Sequence, residues 1–183
     1  MKKITLILLM VAGAGTAFAQ QVNEAATASQ SANLVMSNTI DITFNSNGTN
    51  EGDVVNLPFD NVNDYANGVE SNPIELKVRS NKKFHVWAKA GSNRFTYSGP
   101  ESKDPKMNIN KLKIKVISNN TGGTVPNSVN NKYSNMSKSN KKLINNGTAG
   151  GDNTFAVQYK ADPGYEFPSG TYSVDIIYTA TQQ

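Results

Sequence analysis

Apolar residues in this chain recur at every second position, in short runs cut by clusters of asparagine, glycine and serine. That spacing turns one face of each run toward a core and the other toward water, the pattern of a half-buried strand and not of a helix. Ile74, Leu76 and Val78 alternate with Glu75, Lys77 and Arg79. Phe84, Val86 and Ala88 alternate with His85, Trp87 and Lys89, and Leu112, Ile114 and Val116 with Lys111, Lys113 and Lys115. Phe155, Val157 and Tyr159 form another run, and Tyr172, Val174, Ile176, Tyr178 and Ala180 close the chain. Ala32, Leu34, Met36, Ile40, Ile42 and Phe44 share one parity and predict a strand pair, or one long bent strand, over 32–44. Val54 to Phe59 predicts a strand that Pro58 confines to an edge or an end, and Arg94 to Tyr97 a short one. Ser80-Asn81-Lys82 predicts a tight hairpin between its two neighbours.

Eight or nine strands with one polar face each, and no long helix, predict an all-β, antiparallel, two-sheet β-sandwich. Asn47-Gly48, Asn67-Gly68 and Asn146-Gly147 read as turns, because both residue types tolerate positive φ. The 25 asparagines of the chain fall largely in such places. Residues 118–142 are the weakly patterned part, with only Val125, Val129, Tyr133 and Met136 as apolar anchors. They predict a long polar surface loop, functional or mobile, with one helical turn near 133–143.

The N-terminus reads as an export signal over residues 1–19. Lys2 and Lys3 precede an apolar run from Ile4 to Val11, and Ala17-Phe18-Ala19 fits the small-x-small rule for cleavage before Gln20. The run is short for a membrane span of ~20 residues. Residues 20–31 then form a flexible lead and 32–183 a single domain. Losing Lys2 and Lys3 takes the formal charge from +4 to +2, so the pI of about 9.2 overstates the basicity of the processed chain. Export and a near-neutral balance argue against a nucleic-acid partner. The expected location is the periplasm, the cell surface or the exterior, with no transmembrane segment in the processed chain. The absence of cysteine excludes disulfides, thiolate metal sites, cysteine nucleophiles and a lipid-bearing N-terminal cysteine.

The candidate sites are few. His85 lacks the nucleophile and carboxylate context of a catalytic histidine and reads as a solvated side chain. Trp87, with His85 and Lys89 on the same outward parity, is a candidate platform for a sugar ring or a partner, unless another layer covers it. Lys111, Lys113 and Lys115, with Lys77, Arg79 and Lys89, read either as a patch for anionic envelope polymers or as a solvated face that discourages edge association. Asn45 to Asp53 and Asp60 to Asp64 carry calcium-type oxygen ligands without the spacing of a calcium loop. The carboxylate pairs Asp162/Glu166 and Asp60/Asp64 lie in turn-like segments and carry no weight as a glycosidase signature. No catalytic residue, cofactor or metal is expected.

Pro168-Ser169-Gly170-Thr171-Tyr172, followed by an alternating apolar run to Thr181, resembles the closing strand of exported bacterial sandwiches of the spore-coat-U and fimbrial-subunit-like families, and of surface WxL domains. Ser80 to Ala88 resembles the strand bearing the first WxL motif, which here reads Trp87-Ala88-Lys89, while the closing strand reads Tyr178-Thr179-Ala180. Most of the chain from residue 20 onward is similar to a group of small secreted Bacteroidota proteins, through Ser37-Asn38-Thr39-Ile40-Asp41-Ile42-Thr43-Phe44 and the stretch from Asn146 to Gly151. These resemblances imply an immunoglobulin-like or fimbrial-subunit-like sandwich and export, with no assigned activity. The fimbrial one also implies strand donation between copies, for which Gln20 to Ser31 is the candidate donor, or else a plain leader left after cleavage. The expectation is a non-catalytic structural or adhesive protein of the bacterial cell envelope, with self-association or envelope polysaccharide as partner. The alternative is a glycan- or peptidoglycan-binding surface module using Trp87 and the lysine faces.

Overall fold

The computed structural model describes residues 28–183. The strands are β1 (Ile40–Phe44), β2 (Val69–Glu70), β3 (Ile74–Ser80), β4 (Phe84–Ala90), β5 (Thr96–Ser98), β6 (Leu112–Asn119), β7 (Ser134–Asn135), β8 (Lys141–Gly147), β9 (Gly150–Ala161), β10 (Thr171–Ser173) and β11 (Ile176–Gln182). One short helix, α1 (Val62–Asn67), precedes β2, and a 3-10 turn over Ile109–Lys111 leads into β6. Residues 36–183 form the compact unit that holds all of these elements, and residues 28–35 carry no helix or strand.

The architecture is an all-β, sandwich-like fold of antiparallel sheets. The larger sheet runs β1-β3-β9-β6-β7, with β2 also paired to β9; the second runs β11-β4-β8; β10 and β5 form a two-stranded ribbon. Alternation sorts the faces as the sequence predicts. Leu76 pairs with Phe155 and Ile114 with Tyr159, all buried on the inner face of the larger sheet. Phe84, Val86, Ala88 and Ala90 of β4, with Ile144 of β8, face them from the second sheet. Six of these core side chains, Leu76, Phe84, Val86, Ile114, Ile144 and Phe155, have 0% exposure, and burying each contributes ~1.5–3 kcal/mol.

Several expectations are corrected. Ser80-Asn81-Lys82 is not a hairpin: β3 lies in the larger sheet and β4 in the second, so the chain arches from one layer to the other. Two runs with the same buried parity can then face each other across the core. Ser80 Oγ donates to the Lys82 carbonyl (2.8 Å) and accepts from its amide (3.2 Å), holding the arch. The strand expected over 32–44 begins only at Ile40, which pairs with Ser80, the last residue of β3. Upstream residues have no strand to pair with, and Leu34 and Met36 are 85% and 79% exposed. Val54 to Phe59 makes no ladder, and Val54 is 84% exposed.

The 118–142 stretch is packed, and no helical turn forms near 133–143; a single turn lies earlier, where the Val129 and Asn130 amides bond to the Pro126 carbonyl. Its start continues β6, β7 lies within it, and Lys141 opens β8. Thr121, Val129 and Met136 are buried at 0%, 0% and 1% exposure. The strand total rises to eleven because the two- and three-residue strands are too short to show a period.

Candidate functional site

Trp87 stands on the outer face of the second sheet, opposite Thr179 of β11 and Lys142 of β8. Lys89 faces Ile177, and His85 faces Thr181, so the three residues singled out on β4 do share one surface. The indole is half-buried, and the Lys142 ammonium lies 4.5 Å from its ring centroid. That contact is a cation–π pair, and it occupies part of the surface a sugar would stack on. The His85 ring meets Trp87 edge-on at 6.2 Å. Its Nδ1 accepts from the Asn146 amide (3.2 Å), and Nε2 lies 2.8 Å from the Gln183 side-chain amide. Burial first, and the Lys142 charge second, hold the His85 pKa below its ordinary value. The ring is therefore a neutral, bonded part of the surface.

Lys111, Lys113 and Lys115 lie on the other sheet, so the sequence candidates separate onto the outer faces of two layers. Lys111 itself ends the 3-10 turn and precedes the strand. Each lysine has a carboxylate partner: Lys111 with Glu166 (3.3 Å), Lys113 with Asp162 (2.8 Å) and Lys115 with Glu70 (3.8 Å). Lys77 pairs with Asp152 and Arg79 with Asp41, both at 2.7 Å. The bond from Lys113 holds the Asp162 carboxyl below the usual range. Tyr133 covers Lys115, whose ammonium sits 4.3 Å from the ring centroid. Burial, then the neighbouring Glu70, push the Tyr133 hydroxyl far above a normal phenol, and that hydroxyl has no hydrogen-bond partner of good geometry. The ladder is a charge-compensated face.

The acidic loops are used locally. Asn61 caps α1 through the amides of Asn63 and Asp64, and Asp64 Oδ2 accepts from the Asp60 (2.8 Å) and Asn61 (3.1 Å) amides, a reciprocal capping box. Among the described residues no three His, Asp or Glu side chains gather to hold a metal ion, and no helix is long and apolar enough to cross a membrane.

A large concavity lies elsewhere. At the end of the sandwich where β1 stops and β11 starts, a cleft of about 1580 Å³ opens between the 54–59 segment and the chain from Pro163 to Ile176. Phe44, Phe59, Tyr65, Phe95, Phe167 and Tyr172 contribute to its lining. Tyr65 stacks on Tyr165 (5.6 Å, 21°) and takes Phe59 edge-on (5.4 Å). Tyr172 packs against Tyr97 (5.0 Å) and Phe167 (6.2 Å). Gly170 permits this, since its φ of +151° is unfavourable for other residues and a Cβ there would strike the Tyr97 ring. At the cleft's floor Tyr159 of β9 and Tyr178 of β11 join the two sheets, their hydroxyls 2.5 Å apart. Burial raises both pKa values well above the ordinary phenol.

A smaller cavity of about 450 Å³ continues from the cleft along the flank between β1 and β11, lined by Ile42, Phe44, Leu76, Ile176, Tyr178 and Ala180. β1 and β11 are the edge strands of their sheets. Sequence reasoning singled out neither feature. The available signal was the density of aromatic, Pro and Gly residues between Pro163 and Tyr172, which has no period to register. No family model matches the chain, and no curated protein matches it.

Proposed function

We infer that the protein is an exported, non-catalytic structural or adhesive component of a bacterial cell envelope, a fimbrial-like subunit that associates with further copies of itself. One observation carries this reading. The open flank offers two unpaired strand edges around an apolar groove, while the same chain exposes an apolar run, with Leu34, Val35 and Met36 at 85%, 93% and 79% exposure. An exposed apolar segment and an open sheet edge are the two halves of a strand-addition interface. An added strand turns Leu34 and Met36 to one side, and burying the two contributes several kcal/mol, about 1.5–3 each. The segment Ala32–Met36 of one copy is therefore the proposed occupant of the β1/β11 groove of the next. The donor expected from the sequence, Gln20 to Ser31, lies mostly outside the described residues, and residues 28–31 are exposed without strand.

The test is sedimentation velocity over a range of concentrations. The full chain is expected to form concentration-dependent oligomers that the double variant Leu34→Asp/Met36→Asp abolishes. A wild-type chain that stays monomeric at its highest soluble concentration sinks the reading, as do oligomers indifferent to the double variant.

A further inference from the structure

The aromatic cleft adjoins the β1/β11 groove, with Phe44, Ile176 and Tyr178 lining both, but its chemistry differs from that of a strand edge. The Tyr159–Tyr178 contact spends one hydroxyl hydrogen between two oxygens. The second hydroxyl hydrogen has no acceptor among the described residues, although Tyr159 is only 5% exposed and both residues line the cleft. Either hydroxyl can hold that hydrogen, and at the half-buried Tyr178 it is available to a ligand or water in the cleft. The remaining polar lining consists of amides, hydroxyls and the carboxylates of Asp53, Glu75 and Asp175. The one lining cation, Lys111, is already paired with Glu166. Such a lining disfavours an acidic ligand. The volume of about 1580 Å³ exceeds the ~300–1,000 Å³ typical of sites for single small molecules.

We propose that this cleft binds a neutral saccharide chain several units long. The half-buried rings of Phe59 and Phe167 in the lining offer apolar area to the C–H faces of the sugars, while Tyr65 has one face on Tyr165 and Lys111 stands 5.8 Å from the Phe167 centroid. Asn and Ser side chains at the rim exchange hydrogen bonds with ring hydroxyls, and the tyrosine pair donates its free O–H to one sugar oxygen. The Trp87 surface, on the outer face of the second sheet and partly covered by Lys142, is not part of this site.

The test is calorimetric titration of the full chain with neutral gluco-, manno- and xylo-hexasaccharides and, as the acidic counterpart, hexagalacturonate. At least one neutral hexasaccharide is expected to bind and hexagalacturonate to bind more weakly or not at all. The double variant Tyr159→Phe/Tyr178→Phe, which keeps both rings and removes both hydroxyl hydrogens, is expected to weaken binding about fivefold, the worth of one hydrogen bond. Phe59→Ala, on a segment outside the strands, is expected to weaken it about tenfold, and Trp87→Ala to leave it unchanged. The proposal is overturned if no neutral hexasaccharide binds, if hexagalacturonate binds best, or if Trp87→Ala abolishes binding while the cleft variants do not. Leu34→Asp/Met36→Asp separates the two readings, because it is expected to remove oligomers and leave saccharide affinity intact.

Discussion

Along the flank between β6 and β8, main chain bridges the two sheets; along the flank between β1 and β11, side chains do so, except at one end. There the β3–β4 arch bonds to Thr39 O through the Asn81 amide (3.3 Å) and to the Gln183 amide through Lys83 O (2.9 Å). On the first flank, the Val116 amide bonds to the Val129 carbonyl and the Met136 amide to Leu112, both at 2.8 Å, tying the segment to the larger sheet. The same segment reaches the second sheet through Thr124 and Asn145, which exchange two bonds of 2.8 Å, and through the Ala90 amide on Ser137 (2.8 Å). On the second flank, Gln182 Nε2 reaches Thr39 O (2.6 Å) and Ser80 Oγ (3.0 Å), and Phe44 meets Tyr178 edge-on at 6.0 Å. A flank sealed by main chain has spent its edge donors and acceptors. A flank bridged by side chains keeps them, and with them a route for strand addition.

The sealed flank should therefore carry stability that the open end does not. Met136→Ala removes a side chain of 1% exposure and is expected to cost about 2–5 kcal/mol. Val54→Ala, at the mouth of the cleft, is expected to stay within about 0.5 kcal/mol. Urea denaturation of the two variants measures the gap, and equal losses would break the comparison. The seal also depends on polar bonds. Asn119 Oδ1 accepts from the Thr121 amide (3.1 Å) and hydroxyl (2.6 Å), and Asn119 Nδ2 donates to the Gly123 carbonyl (2.9 Å). Thr121 is fully buried. Asn119→Ala strands those partners, with an expected loss of about 1–3 kcal/mol in the same measurement. A negligible loss would mean that the asparagine-rich stretch contributes packing and not bonding.

These contrasts explain what the sequence makes legible. β3, β4 and β6 each bury one parity, and β9 does so apart from Ala156, so the fold class and most of the core follow from alternation alone. The layer assignment of β4 does not, because a tight turn and an arch between sheets demand similar residues, and only long-range pairing separates them. The seal escapes the pattern for a different reason. Asn119, Thr121 and Asn145 satisfy backbone groups with side chains or single bridges, and polar residues doing this look like solvated loop. Of the candidate sites, the shared surface of His85, Trp87 and Lys89 follows from parity. The carboxylates that neutralise Lys111, Lys113 and Lys115 come from Glu166, Asp162 and Glu70, up to 55 residues away in sequence. The cleft is built from loop segments that only the fold brings together, and no local period marks them.

A smaller effect is expected where the open flank meets the cleft. Tyr178→Phe removes one of two hydroxyls that bond only to each other and retains the ring that packs on Phe44. The expected loss is about 1 kcal/mol, because the hydroxyl left behind on Tyr159 is buried and loses its partner. Tyr159→Phe should cost a similar amount, and the double variant little more than either alone, since both single changes break the same bond. A double-mutant cycle on denaturant midpoints gives the coupling. Strictly additive losses would show that the two hydroxyls do not act as a pair, and that the clasp between the sheets at this end is apolar packing alone.

The smallest effect concerns the sealed side and pH. His85 is the chain's one histidine, and its neutral ring accepts from the Asn146 amide at the end of β8. Burial and the Lys142 charge depress its folded pKa below 6.5. As pH falls below 6.5, the unfolded chain takes up a proton that the folded chain resists, so unfolding gains free energy. Stability linked to His85 is thus present above pH 6.5 and is lost as pH falls toward the folded pKa. Denaturant midpoints measured between pH 7.5 and 5.5 should decline modestly for the wild type and stay flat for His85→Gln. Hydrogen exchange places the effect: the amides of Thr124 and Asn145 should lose protection with acid, while those of β1 hold theirs. An equal response at β1 would mean that the two flanks soften as one unit, and that the difference in how they are bridged does not extend to their local stability.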